Sequence, residues 1–192
     1  MKDIVEVRWH GRGGQGAKTA ANLLAEAASA AGQYIQAFPE YGPERMGAPV
    51  ASFNRISPKP IRIRSAVAEP DVVVVLDASL VRSVGITDGL AEDGVIVVNT
   101  DRDPKSMREA MNLSGRKIFT VDADTIAMET IGRPIPNTPM LGAVIRSTDL
   151  LDYEAFEAIM KKELEKKFGS RPEIVEGNMN AIRRAYEEVR SE

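Results

Sequence analysis

Apolar and polar residues alternate roughly from Ile4 to Trp9, the period-2 signature of a half-buried strand. An alanine-rich stretch, Ala17 to Ala31, reads as the first helix, with Gly32 placed as its C′ residue. Tyr34 to Phe38 predicts a second strand. The segment Pro39 to Pro49 behind it is too rich in Pro and Gly for helix and reads as a shaped loop. Val50 to Ile56 and Ile61 to Arg64 are strand candidates split by Ser57-Pro58-Lys59-Pro60, a hairpin or edge pair. Val72 to Leu76 is a continuous, largely β-branched run, as expected for a strand covered on both faces. Val95 to Asn99 and Lys117 to Val121 follow in the same style. Short helices fit around Ser79 to Ser83 and Pro104 to Met111.

This alternation predicts an α/β fold with a doubly wound, mainly parallel, Rossmann-like sheet and right-handed crossovers. The C-terminal part reads as helical. Arg133 to Pro139 is a stiff connector, and Asn137 or Thr138 can cap a helix whose first turn lies near Pro139. Asp152 to Phe168 carries Glu157/Lys161 and Glu163/Lys167 pairs, with Gly169 as its stop. Asn178 is a candidate cap for a last helix with Met179, Ile182, Tyr186 and Val189 on one face. The expected organisation is one domain over residues 1–192, a sheet region to 132 and a helical part from 133 to 192.

Composition narrows the function classes. A length of 192 residues suits one domain with a sizeable core. A net charge of -3 and a pI near 5.4 argue against general nucleic-acid binding. The chain has no cysteine, which removes disulfides, thiol catalysis and cysteine-ligated zinc or iron–sulfur sites; any cluster belongs to a partner. The longest apolar run is too short to span a bilayer, and the first strand follows no signal-peptide core, so a cytoplasmic protein with no membrane partner is expected.

The candidate chemistry sits in His10-Gly11-Arg12-Gly13-Gly14-Gln15-Gly16. Gly11, Gly13 and Gly16 give a G-x-G-x-x-G spacing between strand and helix. Glycine there admits positive φ and close approach of a phosphate, and the first-turn N–H groups of the helix face the anion. The alternative is a tight turn with no ligand. A nicotinamide site asks for an acid ending the second strand, but that strand ends in Gln36-Ala37-Phe38 and Glu40 follows a proline. Lys18-Thr19 imitates a Walker A motif, yet Ala17 intervenes and turns the lysine by about 100° around the helix. His10 is the only histidine, a candidate for proton transfer or for a hydrogen bond to the loop. Arg12 and Arg45 are the candidate phosphate partners, or members of ion pairs with Glu40 or Glu44.

The run Val7 to Gly16 with Ala20-Ala21, the run Ala37 to Val50, and Asn137-Thr138-Pro139-Met140-Leu141-Gly142-Ala143 together resemble the gamma subunit of 2-oxoacid:ferredoxin oxidoreductases, most of all the pyruvate branch (pyruvate synthase). The resemblance implies a subunit without redox centres that helps to bind coenzyme A and to assemble the complex. It places the coenzyme at Gly11, Arg12, Gly13, Gly14, Gln15, Gly16, Thr19 and Arg45. Thiamine diphosphate, Mg and [4Fe–4S] clusters would belong to alpha, beta and delta subunits, with ferredoxin as electron acceptor. Pro39 to Pro49 and the connector before Met140 would dock on those subunits through Phe38, Tyr41, Met46 and Met140. A free-standing dinucleotide-binding oxidoreductase and the ketoisovalerate and 2-oxoglutarate branches remain the alternatives.

Overall fold

The computed structural model of the chain describes residues 3–40 and 47–192. A sheet of seven strands forms the centre, in the order β2-β3-β1-β4-β5-β6-β7. The strands are β1 (Val5–Arg12), β2 (Tyr34–Pro39), β3 (Pro49–Ser57), β4 (Val72–Val75), β5 (Val95–Asn99), β6 (Lys117–Val121) and β7 (Arg190–Ser191). β1, β4, β5 and β6 run parallel, with Trp9 opposite Val74, Val74 opposite Val97, and Val97 opposite Phe119. β3 lies antiparallel between β1 and β2, and β7 is antiparallel to β6. The helices are α1 (Ala17–Ala30), α2 (Pro104–Met111), α3 (Ala123–Ile131), α4 (Asn137–Ser147), α5 (Tyr153–Phe168) and α6 (Pro172–Glu188), with a 3-10 turn at Ala78–Arg82.

The strand period sorts side chains to two faces. Val7, Trp9, Val72, Val74, Leu76 and Val97 join one core with buried residues of α1, α3, α4, α5 and α6. Val73, Val75, Ile96, Val98 and Ile118 face the 3-10 turn, Ile86, Leu90 and α2 on the other. The thick face is locked by polar contacts inside the core. Trp9 Nε1 donates to Asn54 Oδ1 (2.8 Å), and Asn54 Nδ2 donates to the carbonyl of Ala21 (2.8 Å), joining β1, β3 and α1. Asn99 likewise joins β4 and α3, donating to the Leu76 carbonyl and accepting from the Ala123 amide, both at 2.9 Å.

The parallel strands, α1 and α2 lie close to the positions read from the sequence, and Gly32 follows α1 with φ +84. Other readings are corrected. Ile61 to Arg64 is not a strand. β2 and β1 occupy both edges of β3, so the segment crosses the sheet face instead, its carbonyls at Ile63 and Ser65 accepting from Gln36 Nε2 and Arg55 Nη2. α3 fills the stretch between β6 and the connector, which sequence reading left without an element. α4 begins at Asn137 after Pro136, earlier than the Pro139 start. Asn178 does not cap α6: Pro172 opens that helix, and Asn178 sits buried within it, donating to the Ile174 carbonyl. Glu157 pairs with Arg183 on α6 and Glu163 with Lys166, in place of the Lys161 and Lys167 partners expected. Asp152 does cap α5, accepting from the Ala155 amide at 3.0 Å.

Of the expected docking anchors Met140 is internal, whereas Phe38 is half-buried. Met140 is fully buried in the thick core, and Phe38 stacks on Phe53 at 5.4 Å between ring centroids. Both cover apolar surface of their own chain. Tyr41 and Met46 lie outside the described residues.

Candidate functional site

The glycine turn forms where the sequence places it, at the carboxyl end of β1 and the head of α1. Gly14 and Gly16 adopt φ of +99 and +83, conformations that favour glycine. Gly11 is buried beneath the turn, where a Cβ would stand 3.2 Å from Leu76 Cδ1. A Cβ on Gly16 would stand 2.6 Å from Asn137 Nδ2, so the turn and the head of α4 approach through the missing side chain. Gly14 differs: it is exposed, and a Cβ there would meet nothing within 4 Å.

Several donors of the turn serve the fold. Gly13 N–H donates to the Ala48 carbonyl and Gln15 N–H to the Arg12 carbonyl, each at 3.0 Å. Arg12 N–H donates to Gln15 Oε1 at 2.7 Å. The first intrahelical bond is Ala20 N–H to Gly16 at 2.9 Å, so the amides of Ala17, Lys18 and Thr19 have no helical acceptor. Thr19 is half-buried in that first turn, which carries no acidic residue, and the positive end of the helix dipole is uncompensated there.

Arg12 is held by partners in the fold other than Glu40, and Glu44 lies outside the described residues. Its Nε donates to Asp77 Oδ2 (3.0 Å), Nη2 to Ser79 Oγ (2.8 Å) and Nη1 to the Gly47 carbonyl (3.1 Å). Gln15 Nε2 also donates to Asp77 Oδ2 at 3.0 Å, and Ser79 N–H to Oδ1 at 2.9 Å. Burial pushes the Asp77 carboxyl up, but its bonds from Ser79 and Gln15 and the Arg12 charge outweigh that and hold it below the ordinary range. Asp77 is the anchor that sequence reading missed. Its one signal was its place after a buried valine run. Arg45 lies outside the described residues.

Next to this anchor an open cleft of about 420 Å³ runs along the carboxyl ends of β4, β5 and β6. Asp77, Asp101, Asp122 and Asp124 line it. Burial raises the Asp124 pKa and a hydrogen bond from Asn99 opposes this, while Asp122 and Asp77 raise it further. Four carboxylates repel a pyrophosphate from the crevice where an open α/β sheet usually binds one. The dinucleotide fingerprint also fails in space. β3 separates β2 from β1, which sets the end of β2 two strand spacings, about 10 Å, from the glycine turn.

His10 is half-buried at the carboxyl end of β1. Its Nε2 is buried with no hydrogen-bond partner, and burial together with the Arg8 charge lowers its pKa to about 4. The imidazole is therefore neutral at pH 7. Because the folded value lies below the ordinary 6.5, the unfolded chain takes up the proton first as pH falls. The stability contributed by the neutral form is complete above 6.5 and is lost progressively down to about 4. Between pH 7 and 5 the chain should lose about 2 kcal/mol more than a His10→Gln variant. Urea titrations at the two pH values check this; equal losses would refute it.

The comparisons with known proteins agree with this fold. A sequence profile described as pyruvate ferredoxin/flavodoxin oxidoreductase matches residues 6–188. The chain is 53% identical over 189 residues to the pyruvate synthase subunit PorC of Thermotoga maritima, covering 98% of this chain and 96% of that one. It is 50% identical over 186 residues to the pyruvate/ketoisovalerate oxidoreductases common subunit gamma of Pyrococcus abyssi, covering 97% of each. The crystal structure of pyruvate oxidoreductase subunit PORC from Thermotoga maritima superposes with a TM-score of 0.86 at 49% identity, over 99% of both chains.

Proposed function

Because the chain belongs to the pyruvate ferredoxin/flavodoxin oxidoreductase family, as the gamma subunit of such an enzyme, we propose that it holds coenzyme A for that enzyme through the backbone at Gly14 to Thr19. The carrying observation is Gly14, exposed, with positive φ and open space where a side chain would stand, at the head of a helix whose first amides lack helical acceptors. A pyrophosphate or 3′-phosphate suits those donors. Arg12 acts by positioning: bound to Asp77, Ser79 and Gly47, it fixes the turn. Arg45, outside the described residues, is assigned the contact charge that Arg12, already bonded, cannot supply.

In this reading the complex converts pyruvate, coenzyme A and oxidised ferredoxin to acetyl-CoA, carbon dioxide and reduced ferredoxin. The thiol sulfur forms the new thioester bond, the carboxylate carbon leaves as carbon dioxide, and two electrons pass to ferredoxin. Thiamine diphosphate with Mg and the [4Fe–4S] clusters, on alpha, beta and delta partners of a cytoplasmic heterotetramer, supply the decarboxylation and electron transfer. This chain, without cysteine, binds and orients the acyl acceptor. Its 50% identity to a gamma subunit common to pyruvate and ketoisovalerate enzymes favours a second reading, in which the same chain serves two 2-oxoacid oxidoreductases.

The test is steady-state kinetics on the assembled complex. Gly14→Val should raise the KM for coenzyme A tenfold or more with the pyruvate KM unchanged. Gly14→Ala carries the same backbone strain with less bulk and should shift it less. Arg45→Ala should cost about 1.5–3 kcal/mol, again about tenfold in affinity. Wild-type coenzyme A response in assembled Gly14→Val and Arg45→Ala complexes would make the turn purely structural.

A further inference from the structure

The two ends of the sheet are finished differently. At one end the two-residue β7 is the terminal strand and covers only Phe119 and Thr120 of β6, a very short edge. At the other, β2 is the terminal strand, and its outer side has no partner strand among the described residues. Register and hydrogen bonding say which groups face outward. Glu40 N–H donates inward to the Ala51 carbonyl at 2.9 Å, one step beyond the Pro39–Ser52 pair. Alternation along an antiparallel ladder then turns Phe38 and Gln36 towards β3 and turns the N–H and C=O of Ile35 and Ala37 away from it. Pro39 occupies the next outward position, where it has no N–H to offer.

Exposed edges are commonly blunted by Lys, by inward charges or by a covering segment. β2 reads Tyr-Ile-Gln-Ala-Phe-Pro and carries no charge. Its flanks carry apolar side chains on both faces, mixed on the helical side with Asn22 and Ser29. On the helical side a groove of about 480 Å³ runs between β2, α1 and α5, with Ile35, Ala37, Ala25 and Ala30 in its lining and Glu26 and Glu163 beside them. On the opposite face Tyr34 is 49% and Ile63 42% exposed, two of the three exposed large apolar side chains of the described residues. Gln36 Nε2 holds Ile63 there through its carbonyl at 3.0 Å.

We propose that the free edge of β2 takes an added strand from another subunit of the oxidoreductase complex, an extended segment with small or apolar residues over Ile35 and Ala37 and a basic side chain beside Glu26. Backbone hydrogen bonds to Ile35 and Ala37 supply the register, and the groove reads alternate side chains. A second copy of this chain fits poorly. Antiparallel pairing of β2 with β2 sets Glu26 of both copies on the same shoulder of the sheet, where like charges repel. The inference needs only that the chain is a subunit. It stands apart from the coenzyme A site, and its readouts do not involve coenzyme A.

Hydrogen exchange on the assembled complex tests it at single amides. The Ile35 and Ala37 amides should exchange within about tenfold of Gln36 and Phe38, which are bonded to β3. Exchange of Ile35 and Ala37 more than a hundredfold faster than those neighbours would overturn the proposal. A photo-crosslinking residue in place of Ile35 should join this chain to a different subunit. An adduct between two copies of this chain would overturn it. Ala37→Pro removes only an outward donor, so the chain should fold with an unchanged far-UV spectrum while recovery of the assembled complex falls at least tenfold. Full assembly of that variant would also overturn the proposal.

Discussion

Gly142→Ala should be among the most damaging single changes in the chain, although alanine is the better helix former. Gly142 lies in α4, in which nine of eleven residues are buried. A Cβ there would overlap the Ile182 carbonyl oxygen of α6 and stand 3.0 Å from its carbon and 3.1 Å from the Tyr186 amide. All three are backbone atoms of a helix, so no side chain can swing aside. The helix-propensity gain of about 1 kcal/mol is outweighed, because α4 and α6 must separate along their whole contact. The expected loss is at least about 3 kcal/mol, read as a lowered urea midpoint with little change in slope. Separation also moves Asn137, which packs on Gly16, so the damage should reach the glycine turn. Gly32→Ala is the control: it has φ +84 but open space around it, and should cost only about 1 kcal/mol of backbone strain. Equal losses in the two variants would show that helix contact is not the cause.

Arg55→Ala should cost about 3–5 kcal/mol. Arg55 is 1% exposed, yet it belongs to the middle of a strand. Its Nε donates to Glu6 Oε1 (2.7 Å), Nη1 to Gln36 Oε1 (3.2 Å) and Nη2 to the Ser65 carbonyl (2.8 Å), and its guanidinium lies 5.4 Å from the Phe38 ring centre. One side chain thus ties β1, β2, β3 and the crossing segment together. Truncation leaves a half-buried carboxylate and a carbonyl without their donor. Arg55→Lys keeps the charge but loses the fork, and should recover only part of the stability. Pairing Arg55→Met with Glu6→Gln should recover more, since no charge is then left unpaired. Chemical denaturation of the set, read as a double-mutant cycle, decides the matter; additive losses would refute the coupling.

The sequence was most legible where a single physical demand set the residue type. Val72 to Val75 must satisfy two apolar faces at once, and the β-branched run declares it. The glycines at 14 and 16 announce a backbone that other residues disfavour. Legibility failed where spatial neighbours decide. Ile61 to Arg64 has strand composition, but both edges of β3 were already taken. α3 has only nine residues, largely apolar and without a strong periodic face, so it resembled the end of a strand region. Asn178 looked like a cap because its partner carbonyl, on Ile174, is part of a helix that Pro172 had already opened. In the site, Arg12 offered a charge without a target. The target, Asp77, comes 65 residues later, and only the return of the chain through β4 brings them together. The acidic cleft was invisible for the same reason, since its carboxylates come from three separate strand ends.

The layering of the thick face carries a consequence for biosynthesis. Trp9, Val7 and Val74 belong to early strands, but α4 and α6, which cover that core, are translated last. Between the emergence of β6 and that of α6 the ribosome adds the final third of the chain, which takes roughly 3–13 s at ordinary elongation rates. Throughout that interval the nascent sheet presents the part of this apolar face that α1 and α3 leave uncovered, a surface that invites chaperone capture or misassociation with a neighbouring polysome product. Premature termination before Asn137 would therefore yield not a smaller working domain but a sticky fragment, and quality control should clear it quickly.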